Sequence, residues 1–267
     1  SALYFLIRYT DGSKKLFMWL AVISFFFSAL SKENGFVLLF AIPLVLYFFA
    51  EVSFRRLLML TLPFVLVALL YVVLRIKALS QFFIEQEIIV MNNALMAVKD
   101  QPGPLLASKF GILLKYIGLL LAPVNLSWDY SYNSIPIMNW GNPRAIISLL
   151  IYAGMGVYAI VKFRNKNVIS FSIIFYLMML APVCNFFIYI NSTMAERFLF
   201  APSLGFCIVL VILLFKVLKL NPQEINQSKP ALLIMIVSGI TMLYSYRTLT
   251  RNPDWKNNIS LFESGIK

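Results

Sequence analysis

Apolar runs and polar breaks alternate along almost the whole chain. "LFMWLAVISFFFSAL" (16–30) and "GFVLLFAIPLVLYFFA" (35–50) are joined by "SKEN", and "EVSFRR" leads into "LLMLTLPFVLVALLYVVL" (57–74). A mixed stretch runs from Arg75 to Arg144, and apolar runs return at about 145–161, 168–190, 203–218 and 231–246. Residues 1–7 read as the end of a further helix. A helix needs roughly 20 apolar residues to cross a hydrocarbon core of about 30 Å. The pattern therefore predicts an all-α, polytopic transmembrane helical bundle with about seven full spans. Prolines 43, 63 and 182 fall inside the predicted spans, where membrane helices tolerate kinks. The run "FGILLKYIGLLLAP" (110–123) is short for a span and is interrupted by Lys115. We expect it to be interfacial or re-entrant, with "NALMAVKD" (93–100) as a second surface helix beside it.

Composition sharpens this. Hydrophobic residues make up 61% of the 267, and the mean hydropathy is +0.83, more apolar surface than a water-soluble domain can bury. The net charge of +12 is scattered among loops without a basic stripe, so it speaks for orientation and lipid headgroups and not for nucleic acid. Histidine is absent, which removes His-based triads and His metal sites from this segment. Cys184 and Cys207 both lie in apolar runs and read as small packing residues. The chain opens inside "ALYFLI" without a starting Met, so we expect earlier helices to precede it.

Orientation follows from the positive residues. The short loops "EVSFRR" and "KFRNKN" carry Arg55, Arg56, Lys162, Arg164 and Lys166, whereas the alternate short loops carry Lys32 and Arg197. Segments 51–56, 162–167 and 217–230 are thereby expected in the cytoplasm. "SKEN", a long exoplasmic segment 75–144, 191–202 and the C-terminal tail are expected outside. The multi-pass chain would sit in a bacterial inner membrane or in the endoplasmic reticulum.

Four polar elements then share one face: Lys32–Glu33, the loop "LSWDYSYNSIP" (126–136), Ala195-Glu196-Arg197, and the tail around Trp255. A pocket lined by Arg197, Lys32 and Tyr130 suits a phosphate, because guanidinium presents a planar fork to phosphate oxygens. Glu196 would hold that Arg or bind a sugar hydroxyl, and Asp129 and Tyr132 suit polyol recognition. Plainer readings stand beside these. Glu196 and Arg197 suit a structural helix end, each with its own partner, since adjacent helical residues do not face each other. Lys32 and Glu33 suit a solvated turn, Trp128, Tyr130, Tyr132 and Trp140 an interfacial aromatic belt, and Lys115 a snorkelling side chain.

The blocks "LSKENG", "LLLAPVNLSWDYSYNSIP", "MAERFLFAPSLGFC" and "DWKNNISLFESG" occur in this order. Together they resemble the membrane region of the transmembrane-and-tetratricopeptide-repeat (TMTC-like) family. The resemblance covers the chain from about Leu30 to its end. It implies a GT-C class fold and transfer of a sugar, mannose in the eukaryotic members, from a polyprenyl-phosphate donor to a protein hydroxyl. It also implies that the catalytic carboxylate lies in a first exoplasmic loop upstream of Ser1. Residues 1–250 would be the C-terminal part of the membrane domain, and 251–267 the lead-in to a tetratricopeptide array, with Trp255, Leu261 and Phe262 as packing positions. Arg197 and then Lys32 would stabilise the leaving phosphate, with Glu196, Glu33, Asp129 and Tyr130 around it. The partners would be membrane lipid, the lipid-linked sugar and an acceptor polypeptide. No cofactor is evident, and metal dependence stays open. A non-catalytic scaffold displaying repeats is the main alternative. A transporter or flippase fits less well, because the charges cluster at helix ends and neither half of the chain repeats the other.

Overall fold

The computed structural model describes residues 1–12, 14–31, 33–79, 88–124, 126–131, 134–220 and 230–266. Lys32, Tyr132 and most of the expected inner loop 217–230 lie outside the described residues. Among the described residues the fold is all-helical, with no strand. In chain order the helices are α1 (Ala2–Thr10), α2 (Leu16–Ser31), α3 (Leu38–Phe49), α4 (Phe54–Leu79), α5 (Pro102–Leu121), α6 (Pro143–Phe163), α7 (Val168–Leu180), α8 (Pro202–Val217), α9 (Pro230–Arg251) and α10 (Asn258–Ile266). Four stretches, Phe54–Ala78, Pro102–Leu121, Pro143–Phe163 and Ala231–Trp255, are long and apolar enough to cross a membrane. Four shorter apolar helices accompany them.

Local chemistry sets the helix ends. Prolines 102, 143 and 202 open α5, α6 and α8, where a missing N–H costs nothing. Asn142 caps α6 by accepting from the Arg144 N–H at 3.0 Å, and Asn167 caps α7 by accepting from Ile169 and Ser170. Prolines 43 and 63 stay inside α3 and α4. Pro182 does not stay inside a helix. The apolar run to residue 190 predicts a long span, but α7 ends at Leu180 in a 3-10 turn, Ala181–Val183. Proline cannot supply the next helical N–H, and Asn185 then adopts φ 59°, a left-handed turn that Asn tolerates.

Two cores form. One joins α1, α2, α3 and α4 through Leu6, Phe25, Ile42, Leu46 and Phe64, with the Phe25 and Phe64 rings edge to face at 5.7 Å. The other joins α5, α6 and α7 to the 184–199 segment through Ile112, Tyr116, Tyr152, Tyr176, Leu180 and Met194. Between them, Phe48 of α3 meets Phe171 of α7 at 5.5 Å. Outward-facing apolar side chains such as Phe54, Ile160 and Met242 stay at least 74% exposed, as a surface facing lipid would. The two loops expected in the cytoplasm share one end: Tyr47 stacks on Phe163 at 4.7 Å, and the Lys166 ammonium sits 5.5 Å from the Tyr47 ring.

The opposite end is built around α5. At 20 residues this helix is longer than the 110–123 run predicts, because "PGPLLASK" extends it N-terminally. Yet both of its flanks return to one loop, residues 185–201. Upstream, Asn93 donates to Asn185 and to the Ile190 carbonyl, each at 2.9 Å, and the Ala94 N–H donates to Thr193 at 2.9 Å. Downstream, Ser127 and Tyr130 bond to Glu196. That loop runs alongside α5, with Lys109 at Tyr189 and the Ala195 N–H at the Tyr116 hydroxyl, and α5 is long and apolar enough to cross a membrane, against the expectation of a run too short to span. The expected surface helix at 93–100 is instead a buried 3-10 turn, Ala94–Val98. Asn93, Asn185 and Thr193 form a buried polar network that holds it down. Such a network, fully satisfied, fixes one arrangement of loops that hydrophobicity alone would leave interchangeable.

Candidate functional site

Three of the four polar elements expected on one face come together. Glu196 opens the 3-10 turn Glu196–Leu199 that precedes α8. Its Oε1 accepts from the Ser127 N–H at 2.6 Å and from the Tyr130 hydroxyl at 2.8 Å. Tyr130 is buried, and its ring lies under the Lys115 ammonium at 4.4 Å. Burial first, then the hydrogen bond and charge of Glu196, push the Tyr130 phenol above its ordinary range, so it acts as a donor at physiological pH. Glu196 thus ties the 126–131 loop to the start of α8. Its hydrogen-bond partners are Ser127 and Tyr130, and not its neighbour Arg197, in keeping with the expectation that the two would face apart.

Glu196→Ala is therefore expected to lower thermal stability by about 2–3 kcal/mol, since two donors lose a charged acceptor. Glu196→Gln, which keeps the oxygen acceptor, should cost about half as much. Thermal unfolding of both variants in detergent checks this, and an unchanged Glu196→Ala transition would mean the carboxylate is not the tie.

Arg197 is exposed, and its guanidinium lies 5.3 Å from the Phe198 ring. It makes no hydrogen bond or ion pair with any described residue, unlike the arginines of α9. Arg251 donates to the Leu126 carbonyl at 2.6 Å and lies 3.6 Å from Asp254, while Arg247 donates to the carbonyls of Pro123 and Val124. Tyr244 donates to the Leu120 carbonyl at 2.7 Å. These donors satisfy the extended backbone that leaves α5, where no helix or strand could do so. Asp129 accepts from the Ser131 hydroxyl. The tail joins the same end: Phe262 of α10 meets Trp128 at 5.0 Å. The backbone of Glu33 begins a 3-10 turn, Glu33–Val37, after α2. Phe36 of that turn meets Tyr71, in the second half of α4, at 5.2 Å.

An apolar groove of about 770 Å³ runs beside this end, between α8 and α9 and against α5. Its walls include Leu120, Phe206, Cys207, Leu210, Ile240 and Tyr244. It stays open because α9 is held to the body through its C-terminal half by the polar contacts above. Among the described residues no three of His, Cys, Asp and Glu gather to hold a metal ion.

Sequence reasoning misses Lys109. This residue is only 6% exposed, with its ammonium 4.7 Å from the Tyr189 ring, 5.5 Å from the Phe186 ring and 3.4 Å from the Tyr189 hydroxyl. Its aromatic partners lie 77 and 80 positions away, counting 186 − 109 and 189 − 109, so only the fold reveals the cage.

No family model and no solved structure matches the chain. Curated relatives do. The chain is 30% identical over 190 residues to a protein O-mannosyl-transferase of Caenorhabditis elegans, covering 66% of this chain and 26% of the relative. It is 30% identical over 158 residues to the Homo sapiens protein O-mannosyl-transferase TMTC1, covering 57% of this chain and 17% of the relative. It is 26% identical over 205 residues to the Mus musculus protein O-mannosyl-transferase TMTC3, covering 74% and 21%. The chain thus spans about a quarter or less of the length of these relatives.

Proposed function

We propose that this chain, which belongs to the TMTC-like family, is the donor-holding part of a membrane-embedded protein O-mannosyltransferase. The donor is a mannosyl lipid phosphate whose polyprenyl tail lies in the α8–α9 groove and whose phosphate meets Arg197. The observation that carries this reading is a lipid-sized apolar groove walled by α8, in the turn before which stands an exposed guanidinium that bonds to no described residue. Glu196, Tyr130 and Lys115 fix the backbone that presents Arg197, and Asp129 lies on the same loop end as a contact for sugar or acceptor. Lys32 is a second candidate cation for the phosphate, with Glu33 beside it. The loop end faces the exoplasmic side, as the distribution of positive residues favours.

In this reading the acceptor hydroxyl of a polypeptide attacks the anomeric carbon. The new C–O bond forms as the bond to the phosphate oxygen breaks, with inversion. A carboxylate outside this chain, in the loop that the family resemblance makes catalytic, takes the hydroxyl proton. Arg197 stabilises the charge that grows on the departing phosphate. Residues 251–267 would lead into a repeat array that holds the acceptor, and the contact of Phe262 with Trp128 ties this lead-in to the 126–131 loop.

The test is transfer from synthetic polyprenyl-phosphate mannose to a Ser/Thr-containing peptide by the purified full-length protein in detergent. Mannosylated peptide with stoichiometric release of lipid phosphate is the expected result. A folded protein that yields neither would favour the scaffold.

A further inference from the structure

A second cavity, of about 410 Å³, lies on the loop end between α5, the 134–138 segment and the start of α6. Lys115 and Arg144 line it together with Ser134, and no carboxylate does. The Glu196 carboxylate is bound to Ser127 and Tyr130 and is not among the lining residues. Arg144 stands in the first turn of the 21-residue helix α6, where the helix dipole already presents positive charge. A cation there is the unfavourable sign by about 0.3–1 kcal/mol. Its guanidinium bonds to no described residue; only its backbone N–H is engaged, with Asn142. Two cations and the first turn of α6 thus line one cavity, and among the described residues no carboxylate joins them in its lining, an arrangement suited to an anion.

The walls are built rather than incidental. The Ser108 hydroxyl accepts from the Met138 N–H at 2.8 Å and meets the Met138 carbonyl at 3.3 Å, pinning the 134–138 segment over α5. The Met138 side chain lies over Gly111, in the space a Cβ would take. Lys115 is held on the Tyr130 ring face. Walls fixed by such contacts favour binding by lowering the cost of ordering.

We propose that this cavity binds a phosphate group, either of a soluble phosphate compound or of an anionic lipid headgroup, at Lys115 and Arg144. It is a site separate from the one that would hold the mannosyl donor. Its test uses no glycosyl transfer, so it can stand or fall apart from the proposed activity.

The experiment measures the saturable rise in unfolding temperature of full-length protein in neutral detergent. One arm uses inorganic pyrophosphate, the other dihexanoyl phosphatidate, with dihexanoyl phosphatidylcholine as the uncharged-headgroup control. Binding in the first arm alone identifies a soluble ligand, in the second alone a lipid headgroup, and in both a site that reads phosphate irrespective of its tail. Arg144→Gln or Lys115→Met should weaken binding about tenfold or more. Arg144→Lys should retain much of it, and Arg55→Gln, an exposed arginine at the other end of the molecule, nearly all of it. The absence of saturable binding to wild type would overturn the proposal. So would unchanged binding in an Arg144→Gln/Lys115→Met double variant that still unfolds cooperatively, or loss of binding in Arg55→Gln.

Discussion

Arg197→Ala is expected to lower mannosyl transfer by the full-length protein by about 100-fold or more, with expression and thermal stability unchanged. Removing one preorganised donor from developing negative charge commonly costs a factor of about 10²–10³. The stability half of the expectation follows from the structure. The side chain is exposed, and its one described contact is the 5.3 Å approach to Phe198, so little folding energy depends on it. Arg197→Lys should recover part of the rate, since charge returns without the bidentate fork. The contrast with Glu196→Ala matters: that variant should lose stability first, because its carboxylate is engaged inside the protein. Steady-state kinetics and thermal unfolding on the same preparations separate the two. Normal turnover in Arg197→Ala would remove this residue from the phosphate role.

Gly205→Leu should be among the most damaging single substitutions to folding, at about 3 kcal/mol or more. α7 and α8 approach closely at Gly205, where an added Cβ would lie 2.5 Å from the Ser172 carbonyl oxygen and 3.1 Å from Tyr176 Cβ. A backbone oxygen cannot swing aside, so the helices must separate, and overpacking of this kind costs about 1–3 kcal/mol even for small additions. Association of helices in a bilayer depends on such close contacts, because lipid supplies no hydrophobic drive between them. Separation would also disturb Tyr176, whose hydroxyl meets Tyr152 at 2.8 Å, while Tyr152 is also bonded to the Leu113 carbonyl of α5. The effect would therefore spread to α5 and the loop end. Gly154 of α6 is the control: an added Cβ there meets nothing within 4 Å, so Gly154→Ala should leave the unfolding transition in place. A Gly205→Leu protein with wild-type stability would show that α7 and α8 do not meet as described.

The helices were legible because each apolar run is an unbroken lipid-facing segment bounded by Pro, Asn or charge. Where the prediction fails, a local signal was outweighed by one from far along the chain. The 181–190 run is as apolar as a span, but Pro182 ends α7, and Asn185 turns left-handed because Asn93 and the 190–193 backbone satisfy its amide. "NALMAVKD" reads as a surface helix until Asn93 and Ala94 find those partners about a hundred residues away. The candidate site divides the same way. The types at Glu196, Arg197 and Tyr130 announce chemistry, but their partners do not follow from spacing. The same holds for the Lys109 cage and for Arg144 beside Lys115. Charge at a helix end is visible in sequence, whereas the absence of a counter-charge is visible only in three dimensions.

Cys207 offers the most direct test of the donor-holding groove. It is exposed on the groove wall, while Cys184, the only other cysteine in this chain, is buried. With any cysteines outside this chain replaced, the full-length protein in detergent is labelled with a maleimide, with and without saturating polyprenyl-phosphate mannose. The account predicts that the donor slows modification of Cys207 at least severalfold. It further predicts that the free polyprenol, lacking phosphate, protects less at equal concentration, and that Arg197→Ala erases the difference between the two. Equal labelling rates with and without donor, under conditions where transfer proceeds, would contradict it.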